Sequence, residues 1–90
     1  MYEIQFTKRA LADINKIKKS GSKAIKKKIE LFLLELQEHP LVGVGNIEQL
    51  KGLPNTYSRT IDKKNRLVYE VYDDKILVLV LQALGHYDDK

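Results

Sequence analysis

The sequence has no cysteine, only two histidines and only two prolines among its 90 residues. Without cysteine the chain forms neither disulfides nor thiolate metal sites, and a reducing compartment suits it. His39 and His86 lie 47 positions apart in the sequence, and two histidines at such a distance without cysteine do not make a zinc site. We therefore expect neither a metal nor a cofactor.

Long apolar runs are also missing. The run from Ile76 to Leu81 is too short to span a bilayer. Residues 1–6 have neither the basic region nor the apolar run of a signal peptide. There is no internal repeat or linker, and a hydrophobic content of 43% suffices for one core. We expect a single domain over residues 1–90, located in the cytoplasm and not bound to a membrane.

The positive charge is unevenly distributed. The net charge is +4, yet residues 1–30 contain nine Lys or Arg against three acidic residues, and each of the two later thirds has a net charge of −1. A basic face attracts polyanions such as RNA through counterion release. A merely solvated helix face explains the lysines equally well, so the charge alone does not decide between the two.

Hydrophobic periodicity predicts two helices and four strands. Residues 2–6 alternate in polarity, as in a strand, and helical spacing follows over about 8–19, after Thr7, and from Ser22 to His39. The predicted strands that follow are 57–62, 66–72 and 76–84, with turns at 63–65 and 73–74.

The order β-α-α-β-β-β predicts an α+β domain. Short turns make the last three strands an antiparallel meander, to which the first strand adds. The short Ser20-Gly21-Ser22 joint predicts a helical hairpin that covers one face of this antiparallel sheet. The other face is expected to be open, with Arg66 pointing towards it.

A glycine-flanked segment before the strands carries a carboxylate. Glu48 lies between Gly45 and Gly52, and Ile47 and Leu50 are expected to anchor the segment in the core. A Glu held rigidly beside cations is a candidate general base. The segment lacks the Gly-Lys-Ser/Thr sequence of a phosphate-binding loop, and it could equally be a plain connection.

Two arginines and a terminal histidine supply the remaining chemistry. Arg59 and Arg66 lie in consecutive predicted strands, and a guanidinium suits phosphate because it always keeps its charge. His86 follows Gly85 after the last strand, and histidine donates protons efficiently near neutral pH. Tyr87 could stack on a base or orient a phosphate. Together these residue types suffice to cleave a phosphodiester without a metal.

These residues occur in a pattern that resembles the Txe/YoeB family of bacterial toxins, within the RelE/ParE superfamily. The matching motifs cover most of the chain: Gly43-x-Gly45-x-x-Glu48-x-Leu50-Lys51-Gly52, Tyr57-Ser58-Arg59, Arg66-Leu67-Val68-Tyr69 and Gly85-His86-Tyr87. The resemblance implies a RelE-like fold and an endoribonuclease that cuts mRNA in the ribosomal A site. It also implies neutralisation by a YefM-like antitoxin and allows a homodimer.

The resemblance assigns roles to individual residues. It makes Glu48 the base and Arg66 the phosphate-stabilising residue, with His86 and Tyr87 completing the catalytic site. It further implies that Lys51 and Arg59 contact RNA or phosphate. The chain departs from the family pattern at Thr60, where a second arginine is frequent, and at Asn65, where histidine commonly precedes the strand arginine.

Two other functions remain open from the sequence. Toxins in the same superfamily bind DNA gyrase and cut nothing, and such an inhibitor would not need the set Glu48, Arg66 and His86. A plain interaction domain would use only the basic face. Within the enzyme hypothesis, His86 could be the base and Glu48 could only position it.

Overall fold

The structure is a computed structural model, and it describes residues 1–20, 22–43 and 45–85. Within these residues the chain forms two long helices and five strands in the order β-α-α-β-β-β-β. They are β1 (Glu3–Phe6), α1 (Lys8–Ser20), α2 (Lys23–Glu38), β2 (Glu48–Gln49), β3 (Thr56–Thr60), β4 (Arg66–Tyr72) and β5 (Leu77–Gln82), with a 3-10 turn at Asp73–Lys75 between the last two strands.

The five strands form one sheet in the order β1-β5-β4-β3-β2. Strands β3 to β5 pair antiparallel, as predicted for the meander, and β5 is an interior strand as expected. Strand β2 adds to β3, also antiparallel. Strand β1 pairs parallel to β5, so the sheet is mixed and not wholly antiparallel. The chain between them includes both helices, and a connection of this length leaves either strand direction accessible. The α+β class with both helices on one face is confirmed.

Both helices begin at the predicted caps. The Thr7 hydroxyl oxygen accepts the Ala10 N–H at 3.1 Å, and the Ser22 oxygen accepts the Ile25 N–H at 3.4 Å. Each satisfies one of the donors that a helix start leaves unpaired. Helix α2 ends at Glu38, before Pro40, which has no N–H to continue the helical bonding. None of the helices within the described ranges is long and apolar enough to cross a membrane.

The core lies between the helices and one face of the sheet. Its buried residues include Ala10 and Ile17 of α1, Ile29, Phe32 and Leu36 of α2, Leu67, Tyr69 and Val71 of β4, and Val78 and Val80 of β5. Side chains alternate between the two faces of a strand. Arg66, Val68, Glu70 and Tyr72 of β4 therefore lie on the face away from the helices, and this face carries the candidate site.

Candidate active site

Glu48 and Arg66 meet on the face of the sheet away from the helices. The distance from Glu48 Oε1 to Arg66 Nη1 is 3.8 Å, although the two residues come from strands that do not pair directly. Strand register brings them together, because Glu48 lies opposite Ser58, Ser58 opposite Val68, and Arg66 opposite Thr60. The side chains remain accessible, with exposed fractions of 53% for Glu48 and 30% for Arg66.

Strand β2, which carries Glu48, was not predicted from the sequence. It contains only two residues, too few for an alternating pattern to be recognised. The Thr60 N–H donates to the Gly45 carbonyl at 2.7 Å and ties the preceding segment to β3. Gly45 has a φ of +99°, and a Cβ there would lie 2.5 Å from Phe32 Cζ. Close packing of a glycine on the core therefore sets where Glu48 enters the sheet.

Asn46 orients the Glu48 carboxylate. Its Nδ2 donates to Glu48 Oε1 at 3.0 Å, and its own φ is +42°. Asparagine tolerates this left-handed conformation better than most residues do. Asn46 was not predicted to belong to the site, and only the position of an asparagine between Gly45 and Glu48 could have drawn attention to it.

Arg66 is held at both its backbone and its side chain. Its backbone N–H donates to the Gly85 carbonyl at 3.1 Å, and its Nη1 donates to Ser58 Oγ at 3.5 Å. Ser58 is thus a second neighbour of the guanidinium. The remaining guanidinium donors are available to an anion on the solvent side.

Lys51 lies on the turn that follows Glu48. The Leu53 N–H donates to the Leu50 carbonyl at 3.2 Å, and Gly52 has a φ of +79°, as a type II turn requires at its third position. Residues 49–54 line a shallow concavity of about 530 Å³. Lys51 is exposed and is one of the residues that line this concavity.

Arg59 lies on the opposite face of the sheet from Arg66. It pairs across the strands with core residue Leu67, and its exposed fraction is 0%. Its Nη1 forms an ion pair of 2.5 Å with Glu35 Oε1 on α2. The predicted contact of Arg59 with RNA therefore requires correction, since a phosphate on the open face cannot reach a guanidinium buried under the helices.

The buried Arg59 guanidinium also joins the core to the segment before the site. Its Nη2 donates to the carbonyls of Pro40, at 3.3 Å, and Val42, at 3.1 Å. Its Nε donates to the Tyr69 hydroxyl at 3.2 Å, and its Cζ lies 5.6 Å from the centre of the Phe32 ring. Paired and hydrogen-bonded charges of this kind are the form in which proteins tolerate buried arginine.

Burial raises the pKa of the Tyr69 hydroxyl, and the bond from Arg59 opposes this rise in part. Tyr69 in turn donates to the Pro40 carbonyl at 2.8 Å. Its protonated form therefore serves as an acceptor for Arg59 and as a donor to the 40–43 segment. The two residues together hold the chain that leads to Gly45 and Glu48.

The predicted residues His86 and Tyr87 lie outside the described residues, and their roles stay predictions. The chain that leads to them ends, among the described residues, at Gly85, whose φ is +81°. The Gly85 N–H donates to Asn65 Oδ1 at 2.9 Å. Asn65 is itself held by Asp62, and hydrogen bonds, first from the Lys64 backbone and then from Asn65, lower the pKa of the Asp62 carboxyl.

Residues 1–20, 22–43 and 45–85 contain no cluster of side chains suited to bind a metal ion. No group of three or more His, Cys, Asp or Glu side chains in these ranges could hold an ion. The chemistry available at the open face is that of a carboxylate, a guanidinium and an ammonium group. A carboxylate can take up a proton, and the cations can stabilise negative charge on a phosphate.

Comparison with known proteins identifies the family. A family model for the YoeB-like toxin of bacterial type II toxin–antitoxin systems matches residues 6–87. The chain belongs to this family. Toxin YoeB of Streptomyces coelicolor is 37% identical over 68 residues, which make up 74% of this chain and 79% of that protein. The mRNA interferase toxin RelE of Escherichia coli is 32% identical over 83 residues, which make up 91% of this chain and 80% of RelE.

Solved structures agree with this assignment. YoeB in the YoeB–YefM complex from Staphylococcus aureus superposes with a TM-score of 0.79 and 31% identity, covering 97% of this chain and 99% of the other. The dimer of Staphylococcus aureus YoeB gives a TM-score of 0.81 and 32% identity, covering 96% of this chain and 98% of the other. The RelE-like fold expected from the sequence is thus confirmed, and the site on the open face belongs to a YoeB-like toxin.

Proposed function

We propose that this YoeB-like toxin is an endoribonuclease that cleaves mRNA, with the ribosomal A site as the place of cleavage. The observation that carries the proposal is the Glu48–Arg66 pair, an accessible carboxylate 3.8 Å from an accessible guanidinium. RNA supplies its own nucleophile, the 2′-hydroxyl, so the reaction proposed here needs no metal ion. The similarity to RelE, which is named an mRNA interferase, supports the choice of substrate.

In the first half of the proposed reaction Glu48 acts as general base. Its carboxylate accepts the proton of the 2′-hydroxyl, whose oxygen then attacks the adjacent phosphorus. Asn46 donates to Glu48 Oε1 and leaves Oε2 available to the hydroxyl. General-base catalysis of this kind contributes roughly 10²- to 10⁴-fold to the rate.

Arg66 stabilises the negative charge that builds on the pentavalent phosphorane. Its guanidinium is already held by Ser58, so little reorganisation is needed when charge develops. Lys51, exposed on the neighbouring turn, adds a second positive charge to the bound phosphate. Loss of a preorganised donor at a developing oxyanion costs about 10²- to 10³-fold in rate.

His86 completes the reaction as general acid. Its imidazolium protonates the leaving 5′-oxygen, and Tyr87 orients the nucleotide. The products are a 2′,3′-cyclic phosphate and a 5′-hydroxyl. The charge on the lysine-rich helices α1 and α2 suits ribosomal RNA, which would position the message against the site.

We also propose a YefM-like antitoxin and a homodimer for this chain. The relatives from Staphylococcus aureus were solved as a YoeB–YefM complex and as a YoeB dimer. At 31–32% identity over nearly the whole chain, the same modes of assembly are a reasonable expectation here. The antitoxin proposal is tested by co-expressing this chain with a small acidic protein encoded by the neighbouring gene and purifying a complex of the two.

The enzymatic proposal is tested with Glu48→Ala, Arg66→Ala and His86→Ala variants expressed in bacteria. Wild-type protein should produce new mRNA ends and 2′,3′-cyclic phosphates, and each variant should reduce both at equal protein level. Cleavage that persists at the wild-type rate in the variants would contradict the assigned roles. Toxicity with intact mRNA and damaged DNA would instead favour the gyrase inhibitor.

The assignment of base and acid is tested by the pH dependence of cleavage. If Glu48 is the base, Glu48→Ala should remove the acidic limb of the rate profile and His86→Ala the alkaline limb. If instead His86→Ala removes the acidic limb and Glu48→Ala lowers the rate but keeps both limbs, His86 is the base and Glu48 only positions it.

A further inference from the structure

The three residues that follow β5 are held by side chains from elsewhere in the fold. Asp13 Oδ2 accepts the N–H groups of Ala83, at 3.0 Å, and Leu84, at 3.2 Å. Asn65 Oδ1 accepts the N–H of Gly85 at 2.9 Å. All three backbone donors of this segment are therefore satisfied by side chains 20 or more positions away in sequence.

The carbonyl groups of the same segment are bound as well. Arg9 Nη2 donates to the Leu84 carbonyl at 2.9 Å, and the Arg66 backbone N–H donates to the Gly85 carbonyl at 3.1 Å. The segment is thus connected to helix α1 on one side and to strand β4 on the other. Five hydrogen bonds therefore hold the three residues that follow the end of β5.

Asp13, which accepts the Ala83 and Leu84 N–H groups, is itself buried and hydrogen-bonded. It lies on α1 with an exposed fraction of 4%, and Arg9, one helical turn earlier, donates to both of its oxygens, at 3.2 and 3.0 Å. An ionised carboxylate is unfavourable in the interior unless it is paired and fully hydrogen-bonded. Asp13 meets that condition only while Ala83 and Leu84 keep their positions, so the carboxylate and the 83–85 segment depend on each other.

Asn65 joins the same segment to the candidate active site. Its Nδ2 donates to the Asp62 carboxylate, at 3.0 and 3.1 Å, which fixes the amide so that Oδ1 faces Gly85. The next residue in the chain is Arg66. The turn before β4 therefore leads directly into Arg66, the proposed phosphate ligand. The same turn holds the backbone of Gly85, the residue before His86.

We infer that Asp13 and Asn65, together with Arg9, form a backbone clamp that fixes residues 83–85 and, through the Gly85 peptide, the point from which the proposed acid His86 continues the chain. This inference rests on the proposed function, in which His86 is the general acid. Consecutive Cα atoms are about 3.8 Å apart, so a shift of Gly85 passes directly to His86. None of the three clamp residues is assigned a contact with RNA, so they are positioning residues rather than catalytic ones.

The clamp itself is tested by amide hydrogen exchange on the intact protein. Asp13→Asn should speed exchange at Ala83 and Leu84, and Asn65→Ala at Gly85, by roughly ten- to a hundredfold, since the first replaces a charged acceptor by a weaker neutral amide and the second removes the acceptor. The matched control is Thr7→Val, because Thr7 Oγ1 also joins α1 to β5, through the Leu81 carbonyl at 2.9 Å. Exchange at Tyr69 and Val71 should stay slow in every variant and so report an intact core. Unchanged exchange at residues 83–85 in both clamp variants would overturn the inference.

Its effect on catalysis is tested by a double-mutant cycle with mRNA bound to ribosomes. Asp13→Asn and Asn65→Ala should each lower the single-turnover rate by about ten- to a hundredfold, as small displacements of a reacting group do, with unchanged affinity for the ribosome. In a His86→Ala background the same substitutions should cost nothing further. Thr7→Val should have the wild-type rate.

The outcomes separate the clamp from the proposed function. If His86→Ala is slow but the clamp substitutions slow both backgrounds equally, the proposed acid stands and the clamp is overturned. If His86→Ala cleaves at the wild-type rate, the proposed acid is wrong, and the clamp has no acid to position. A loss of ribosome affinity with an unchanged single-turnover rate would likewise contradict positioning.

Discussion

Arg59 and Arg66 are the same residue type on neighbouring strands, and the fold gives them opposite surroundings. Arg59 is fully buried against α2 and paired with Glu35, whereas Arg66 lies beside Glu48 on the open face. Successive side chains in a strand point to opposite faces, so the register alone decides between the two environments. One guanidinium is a structural ion-pair partner, and the other is a candidate ligand of phosphate.

The contrast predicts that the two arginines separate stability from activity. Arg59→Met should lower the free energy of unfolding by about 3–5 kcal/mol, because it removes one member of a buried ion pair. Arg66→Met should change it by only about 0.5 kcal/mol, because the side chain is partly exposed, while lowering the rate of RNA cleavage by about 10²- to 10³-fold. Urea unfolding and a cleavage assay measure both effects. An Arg59→Met protein of wild-type stability without cleavage would restore the RNA-binding role predicted for Arg59.

The sequence could predict which residues carry the chemistry better than where each one points. Glu48 and Arg66 were expected to belong to one site, and their side chains lie 3.8 Å apart. The face of Arg59 could not be predicted, because Ser58 and Arg59 are both buried and β3 shows no alternation of polarity. Asp13 has the appearance of an ordinary helix residue, since its contact with Ala83 spans 70 positions of sequence.

Among the strands, the shortest one, β2, determines where Glu48 lies in the candidate site. Strand β2 has two residues, and its position follows from the packing of Gly45 on Phe32 and on the Thr60 carbonyl. Periodicity predicted β4 with both of its ends, because seven residues show a clear alternation. It could not predict β2 or the parallel pairing of β1, since neither a two-residue strand nor a strand direction leaves a periodic signal.

Gly45 and Gly52 provide a matched pair of substitutions in this segment. Both have a positive φ, but a Cβ would lie 2.5 Å from Phe32 Cζ at Gly45, whereas no atom lies within 4 Å at Gly52. Each substitution to Ala should cost about 1–2 kcal/mol of backbone strain. Only Gly45→Ala should also displace Glu48 and lower the cleavage rate, by roughly a hundredfold. Equal rates for the two variants, measured beside urea unfolding, would show that Gly45 does not set the position of Glu48.

In the whole molecule, the excess positive charge and the candidate active site lie in different places. Nine of the 16 Lys and Arg residues lie in the first 30 positions, mostly on α1 and α2, whereas the Glu48–Arg66 pair lies on the face of the sheet away from these helices. Binding and cleavage can therefore be altered independently. A basic surface acts on affinity and association with a polyanion, whereas the site acts on the chemical step.

This separation predicts how neutralising the helices affects ribosome binding. Replacing exposed lysines of α1 and α2 by Gln, at Lys16, Lys19, Lys23 and Lys27, should weaken binding and leave the single-turnover rate unchanged. For each phosphate that the helices no longer neutralise, the slope of log affinity against log salt should become shallower by about 0.7–0.9. Lys75→Gln, on the turn after β4, is the control and should have a smaller effect. If the fourfold variant binds ribosomes with unchanged affinity, these lysines form only a solvated surface and do not bind RNA.

Acid should weaken the whole fold through the turn that precedes Arg66. The Asp62 carboxylate accepts the backbone N–H groups of Lys64 and Asn65, both at 2.8 Å, and these bonds hold its pKa below the ordinary value of 3.8. Because the pKa is lower in the folded state, the stabilisation is fully present above about pH 4 and is lost as the pH falls through the folded value. The difference in unfolding free energy between wild type and Asp62→Asn should therefore be constant above about pH 4 and shrink as the pH falls below it, in urea titrations. A constant difference would contradict this. Since Asp62 also orients Asn65, exchange of the Gly85 amide, measured relative to the core amides, should accelerate over the same pH range.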